Sequence, residues 1–272
     1  METRCTRYAV CAENFEREVR IAHISDLHEQ NPEAALAILK AEKPDLILCT
    51  GDMLERHREK PGGPTYKEMD AIQERKPFSR LLRKLLRLLQ GEKPPRFNGL
   101  DFFTRAAVIA PVVYSLGNHE WYLLDTDREV LNKAGVIVLD NRMTSLQIRG
   151  ETLHIGGLST RADEKFLASF SQEPGYKILM AHHPEYYLRH IQGSDLDVFD
   201  LVLSGHAHGG QWRFFNQGVY APGQGFFPRY TSGMRPAGRG SWIISTGLAN
   251  TAGFPRFNNP EEVVIVDLHP QP

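Results

Sequence analysis

His206 and His208 follow directly on an apolar run, 201–204, that stops at Gly205. A buried strand that ends in a glycine and two imidazoles opens into a polar site, and imidazole is the commonest side-chain metal ligand. The same arrangement recurs along the chain. The run 19–25 leads into Asp26-Leu27-His28, 46–50 into Gly51-Asp52, 111–116 into Gly117-Asn118-His119-Glu120, and 176–181 into His182-His183-Pro184. Each motif alone has a plainer reading. These are solvated loop histidines, an aspartate capping a helix expected over 32–41, an ordinary Gly-Asp turn, and a polar turn capping a helix expected over 125–134. Taken together, the strand ends supply Asp26, His28, Asp52, Asn118, His182, His206 and His208. That is too many ligands for one four- to six-coordinate ion, and it suits two ions sharing a carboxylate. Asp52 is the expected bridge, because its carboxylate can coordinate through both oxygens and it arrives alone. Imidazole, carboxylate and amide without thiolate favour two divalent or trivalent transition-metal ions, Mn, Fe or Zn, over Mg or Ca, which prefer oxygen shells.

The elements that must position these groups are mostly apolar strands. In an open α/β sheet the C-terminal strand ends gather along one rim, where ligands bind. Between and beyond them, 136–140, 144–149 and 152–157 read as short strands of an antiparallel sheet, with His154 a satisfied sheet residue. A helix is expected over 186–191, and further strands over 242–245 and 262–268. The Gly-, Pro- and aromatic-rich stretch 211–240 reads as a long loop or, given its aromatics beside the histidine pair, as a pocket wall. The least expected part is 53–105. Within it Phe78, Leu81, Leu82, Leu85, Leu86 and Leu89 fall at helical spacing, with Arg80, Arg83, Lys84 and Arg87 on the other side. This is a basic amphipathic helix over 78–90, and a second helix is expected over 100–107. The whole chain, 1–272, reads as one domain with an insertion at about 53–105.

Composition narrows the class. Hydrophobic residues make up 41% and charged residues 24% of the 272, ordinary for a globular protein, and no apolar run approaches the ~20 residues of a membrane span. Residues 1–18 show no secretory signal, although a native leader or anchor could be missing. A net charge of -1 provides no global field for polyanions, so general nucleic-acid binding is not expected. Cys5, Cys11 and Cys49 lack CxxC spacing, which argues against a disulfide framework or a zinc-thiolate site. Cys49 reads as a core residue. Cys5 and Cys11 could pair locally, but a reduced compartment is the simpler reading.

In this order, Asp26-Leu-His28, Gly51-Asp52, Gly117-Asn118-His119-Glu120, His182 and Gly205-His206-Ala-His208 resemble the signature of the calcineurin-like metallophosphoesterases. Gly205-His-Ala-His-Gly-Gly-Gln211, Ala221-Pro-Gly-Gln-Gly225, Tyr230-Thr-Ser-Gly233 and Arg256-Phe-Asn-Asn-Pro260 are similar to the bacterial YkuE-like branch. The resemblance implies an α/β fold, a four-layer αββα sandwich with the active site at strand C-terminal ends. It also implies that Asp26, His28, Asp52 and His208 hold one metal, and Asp52, Asn118, His182 and His206 the other. The implied reaction is hydrolysis of a phosphodiester or phosphomonoester, lipid-linked or nucleotide-type, by in-line attack of metal-bound hydroxide. His119 is the candidate to protonate the leaving oxygen or to stabilise the transition state, oriented by Glu120 or a backbone carbonyl. Members of that branch often carry an N-terminal membrane anchor, absent here, so a cytoplasmic or a peripheral membrane location is expected. The 78–90 helix reads first as a surface helix that packs its leucines on the domain, and beyond that it is expected either to lid the site or to contact an anionic membrane surface. The rival readings are a nuclease and a non-catalytic scaffold, the latter disfavoured because every ligand position is filled.

Overall fold

The computed structural model describes residues 2–56, 98–215, 217–249 and 255–271. The helix expected over 78–90, with the lid or membrane contact assigned to it, lies outside the described residues. In chain order the elements are β1 (Arg4–Ala12), β2 (Val19–Ile24), α1 (Glu33–Glu42), β3 (Leu46–Cys49), α2 (Asn98–Ala106), β4 (Val112–Ser115), α3 (Asp125–Lys133) and β5 (Ile137–Leu139). There follow β6 (Arg142–Ile148), β7 (Glu151–Leu158), α4 (Glu164–Ser171), β8 (Tyr176–Ala181), a helical turn Pro184–Tyr186 continuing as Tyr187–Ile191, and β9 (Leu201–Ser204). Two small hairpins, β10 (Arg213–Phe214) with β11 (Gln217–Gly218) and β12 (Tyr220–Ala221) with β13 (Gly225–Phe226), precede β14 (Gly233–Ala237), β15 (Gly240–Ile244) and β16 (Glu262–Pro270).

Two six-stranded sheets result, in the orders β1-β16-β2-β3-β4-β5 and β14-β15-β9-β8-β7-β6. Alternation along the central strands explains why they stack. In β3, Leu46 and Leu48 face the second sheet while Ile47 and Cys49 face the helices; in β9, Leu201 and Leu203 face the first sheet while Val202 faces the other way. Period-two side chains with both faces apolar can be satisfied only between two layers. Leu36 and Leu39 of α1, Phe102 and Phe103 of α2 and Leu131 of α3 cover the outer face of the first sheet. Leu167 and Phe170 of α4, with Tyr187 and Ile191, cover the second. The fold is the expected four-layer αββα sandwich.

One expectation fails here. The strands over 136–140, 144–149 and 152–157 do not form one antiparallel sheet: β5 joins the first sheet parallel to β4, and only β6 and β7 pair antiparallel, in the second. The crossover β4-α3-β5 places a helix on the sheet and returns the chain parallel, as such connections do. The chain then changes sheets at Asp140 and Asn141, where Asn141 takes a positive φ of 50°. The sequence reading also leaves out β1 and α4. The edge strand β1 pairs parallel with β16, and Asp163 caps α4 by accepting from the Lys165 and Phe166 amides. Cys5 and Cys11 are free.

Candidate metal centre

The C-terminal ends of β2, β3 and β4 in one sheet and β8 and β9 in the other meet at one place. Backbone bonds tie the turns together: Asp26 N–H donates to Gly51 O (3.0 Å), His28 N–H to Asp52 O (2.9 Å), and Gly205 N–H to His182 O (3.1 Å). The chain bends sharply to do this. Asp26, His28, Asp52, His206 and His208 all have positive φ, between 45° and 65°. Such a conformation is uncommon outside glycine, and its concentration in the ligand-bearing residues marks a site for which the rest of the fold supplies the constraint.

The side chains converge as overlapping groups, Asp26 with His28 and His208, His28 with Asp52 and His119, and Asp52 with His182 and His206. Asp26 Oδ1 lies 3.5 Å from His208 Nε2 and 3.9 Å from His28 Nε2. Asp52 joins the groups. Its Oδ1 accepts from the His119 amide (2.8 Å), leaving Oδ2 to face His28 Nε2 (3.6 Å), His182 Nε2 (3.2 Å) and His119 Nε2 (3.8 Å). Asn118 Oδ1 is 3.2 Å from His182 Nε2. All seven predicted ligands are therefore buried in one place, and His119, whose side chain is 29% exposed, stands at the mouth.

Outer contacts orient the rings. Thr50 O accepts from His182 Nδ1 (2.7 Å), which leaves Nε2 with its lone pair toward the site. Glu55 does this twice, Oε1 to His28 Nδ1 (2.7 Å) and Oε2 to His119 Nδ1 (3.0 Å). The carboxylate that orients His119 is thus Glu55 and not Glu120, which is buried and accepts from Tyr114 OH (2.6 Å) and the Met53 amide (3.1 Å). Arg256 Nη2 lies 3.2 Å from His208 Nδ1, and Asn259 Nδ2 donates to His208 O (2.7 Å). Sequence reasoning missed Glu55, although its place three residues past Asp52, on the same strand-end loop, is a usable signal. A neighbouring group of His183, Glu185 and His206 was also unforeseen.

The electrostatics fit a cation. Burial would push the Asp26 carboxyl up, but His208, His28 and His182 hold it below the usual range. Burial likewise opposes ionisation of Asp52, and His182, His119 and His28 overcome it. Beside Asp52, His182 overcomes its own burial and is raised to about 9, while burial lowers His208 to about 3. Burial and then Asp52 push Glu120 up to about 8. Two buried carboxylates held ionised among converging imidazoles, and a buried His28 Nε2 with no hydrogen-bond partner, make a site that suits a metal ion. The donor set of carboxylate, imidazole and amide matches transition-metal ions.

Comparison with known proteins agrees with this geometry. The chain is 29% identical to the Uncharacterized metallophosphoesterase YkoQ of Bacillus subtilis over 72% of its own length and 63% of that protein, so it spans less than two thirds of this relative. It is 25% identical to the Uncharacterized metallophosphoesterase YkuE of B. subtilis over 91% of this chain and 76% of that one. With the Phosphodiesterase YaeI of Escherichia coli it shares 26% identity over 94% and 78% of the two chains. The family profile described as Calcineurin-like phosphoesterase matches residues 19–210, which run from the start of β2 through the turn bearing His206 and His208 and so take in every strand end of the site. The chain belongs to the calcineurin-like phosphoesterase family.

Proposed function

We propose that this protein hydrolyses a phosphoester, a phosphodiester in the first instance, at a dinuclear centre. The observation that carries the reading is the meeting of two ligand groups at Asp52 Oδ2, with His119 Nε2 3.8 Å from the same oxygen. Asp26, His28, Asp52 and His208 would hold one ion, and Asp52, Asn118, His182 and His206 the other. Bound there, Mn, Fe or Zn ions would supply Lewis acidity toward the phosphoryl oxygens and a nucleophilic water.

The chain's own part is orientation and proton delivery. Glu55 accepts from His119 Nδ1, which leaves Nε2, at the exposed mouth, to donate a proton to the leaving oxygen. The same carboxylate fixes the His28 ring, so the ligand shell and the proton donor share one orienting group. The name of YaeI, a phosphodiesterase, supports a diester over a monoester. A nuclease and a non-catalytic scaffold are the competing readings, and a filled ligand set speaks against the scaffold. Metal analysis combined with chromogenic phosphodiester and phosphomonoester assays under added Mn tests the proposal. Turnover is expected in the metal-loaded protein and its loss in Asp52→Asn; a metal-loaded protein without turnover on either ester would overturn it.

A further inference from the structure

The net charge of -1 conceals a strong asymmetry. Between Gly205 and Pro260 there is no aspartate, glutamate or lysine, whereas Arg213, Arg229, Arg235, Arg239 and Arg256 all fall there. The same stretch bares apolar side chains. Phe215 is 105% exposed, Phe227 71%, and Phe214 and Phe257 50% each. Among the described residues every exposed large hydrophobic except Val108 belongs to it.

Single exposed apolar residues need no explanation, but a contiguous patch does. Contiguity is built in here. The Phe214 and Phe257 rings stand 5.5 Å apart, Trp212 bridges to Phe257, and the Trp212 indole donates to Pro255 O (2.9 Å). Val219 N–H donates to Trp212 O (2.8 Å) and Phe227 N–H to Val219 O (2.9 Å), which joins the second hairpin to the first. The face is also displayed against local preference. Phe215, in the turn between β10 and β11, has φ 48°, and Phe227, just past β13, has φ 53°, conformations that suit glycine or asparagine far better. Neither strain nor exposure of a phenylalanine helps the monomer fold, so both point to something that covers these rings.

Charge identifies the covering surface. Arg229 and Arg235 are exposed and form no ion pair among the described residues; Arg235 lies over the Tyr230 ring (5.3 Å) and donates to Arg229 O (2.9 Å). Phenylalanines without a polar handle, carried on turns of a stretch that has no acidic residue and accompanied by the exposed, unpaired Arg229 and Arg235, match the boundary between anionic headgroups and acyl chains. A single-stranded nucleic acid calls instead for rings laid along a groove that tracks its backbone.

The face is rooted in the metal centre. Asn259 holds both His208 O and Gln211 O (2.7 and 3.2 Å), and Gly210 packs so closely on the first hairpin that an added Cβ would meet Gly218 Cα at 2.6 Å. We propose that this aromatic face and its accompanying arginines dock the protein onto anionic lipid bilayers and so present the site to phosphoesters in the lipid surface. Docking stands on the face alone; the presentation of substrate rests on the proposed phosphoesterase activity.

Vesicle sedimentation of the full chain tests it, with phosphatidylcholine alone and with phosphatidylglycerol added. The protein is expected to partition onto the anionic vesicles, less so at high salt. Phe215→Ser combined with Phe227→Ser should lower partitioning at least about tenfold, given the apolar area lost. Phe215→Trp should keep binding, with its fluorescence quenched by brominated lipid. Arg229→Gln with Arg235→Gln should remove the salt-sensitive part. Hydrolysis of a soluble chromogenic diester should be unchanged in all of these variants, which separates lost docking from lost folding. If the wild-type protein lacks that hydrolysis yet binds vesicles, the proposed activity fails and docking stands. No partitioning onto anionic vesicles, partitioning indifferent to the double serine variant, or displacement of vesicles by a single-stranded oligonucleotide would each overturn the inference.

Discussion

His119 and Glu55 make different demands on experiment because they touch the centre differently. His119 meets Asp52 through its amide and faces Oδ2 with Nε2, but the proposed ligand set does not include its ring. His119→Gln is therefore expected to lower kcat by roughly 10²–10⁴-fold, the usual scale for a proton donor, with metal content intact. Metal loss in the purified variant would show that the ring is a ligand. Glu55 bonds His28 Nδ1 and His119 Nδ1 together. Glu55→Gln should weaken metal binding about 10–100-fold as well as slowing turnover, and titration of the apo variant with Mn would read the two effects separately. A third residue, His23, gives a pH signature. It is fully buried, donates or accepts at Thr50 Oγ1 (2.8 Å) through Nε2, and its Nδ1 has no partner. Burial lowers it to about 3 from 6.5. The unfolded chain therefore takes up a proton that the folded chain refuses as pH falls below about 6.5. The stability this residue contributes is full above that value and is lost progressively toward pH 3. Denaturant midpoints measured from pH 7 to 4.5 should fall less steeply in His23→Gln than in the wild type, and equal slopes would remove His23 from the account.

At the scale of elements, the turns that follow the strands are the fragile parts. Gly117 ends β4 so close to its neighbour that an added Cβ would run into Asp52 Oδ1. Gly117→Ala should displace the Asp52 carboxylate and remove metal and turnover together while the circular dichroism spectrum stays native. Retained metal in that variant would mean that the loop can yield. These strand ends are readable from sequence because the central strands are buried on both faces, so each appears as an unbroken apolar run cut off by a polar motif. The edge strand β1 is not readable that way: most of its residues are exposed or half-buried, and its polar composition looks like a loose terminus. Pairing of β5 is hidden for another reason. Ile137-Val-Leu139 would suit either sheet, and only the α3 crossover decides which one it joins. The positive φ values at Asp26, His28, Asp52, His206 and His208 leave only a weak trace in residue type, since aspartate and histidine are enriched in left-handed turns but signal them far less than glycine does. Glu55 hides in a charged run that reads as a solvated loop, and it is the fold of that loop that turns its carboxylate onto two rings.

For the whole molecule, the consequence of this architecture is that metal and tertiary structure are linked. Asp26, His28, Asp52 and Asn118 follow strands of the first sheet, and His182, His206 and His208 follow strands of the second. Each proposed ion would therefore draw ligands from both sheets, across the layer where Leu48, Val113, Ile178 and Leu203 pack. An unfolded chain offers no such shell, so metal binding adds directly to the stability of the native state. At a free metal concentration 100 times Kd the linkage contributes about 2.7 kcal/mol per site, and for a domain of this size each kcal/mol moves Tm by about 2–4 °C. Removing metal with a chelator should thus lower Tm by roughly 5–10 °C for one site, and by more if both empty. Asp52→Asn, which disturbs the residue proposed to bridge the two ions, should melt at nearly the same temperature with and without chelator. Calorimetry with metal content measured on the same samples provides the check. A wild-type Tm that stays put after the ions are shown to have left would mean that the two sheets hold their register through apolar packing alone and that the centre is a passenger on the fold.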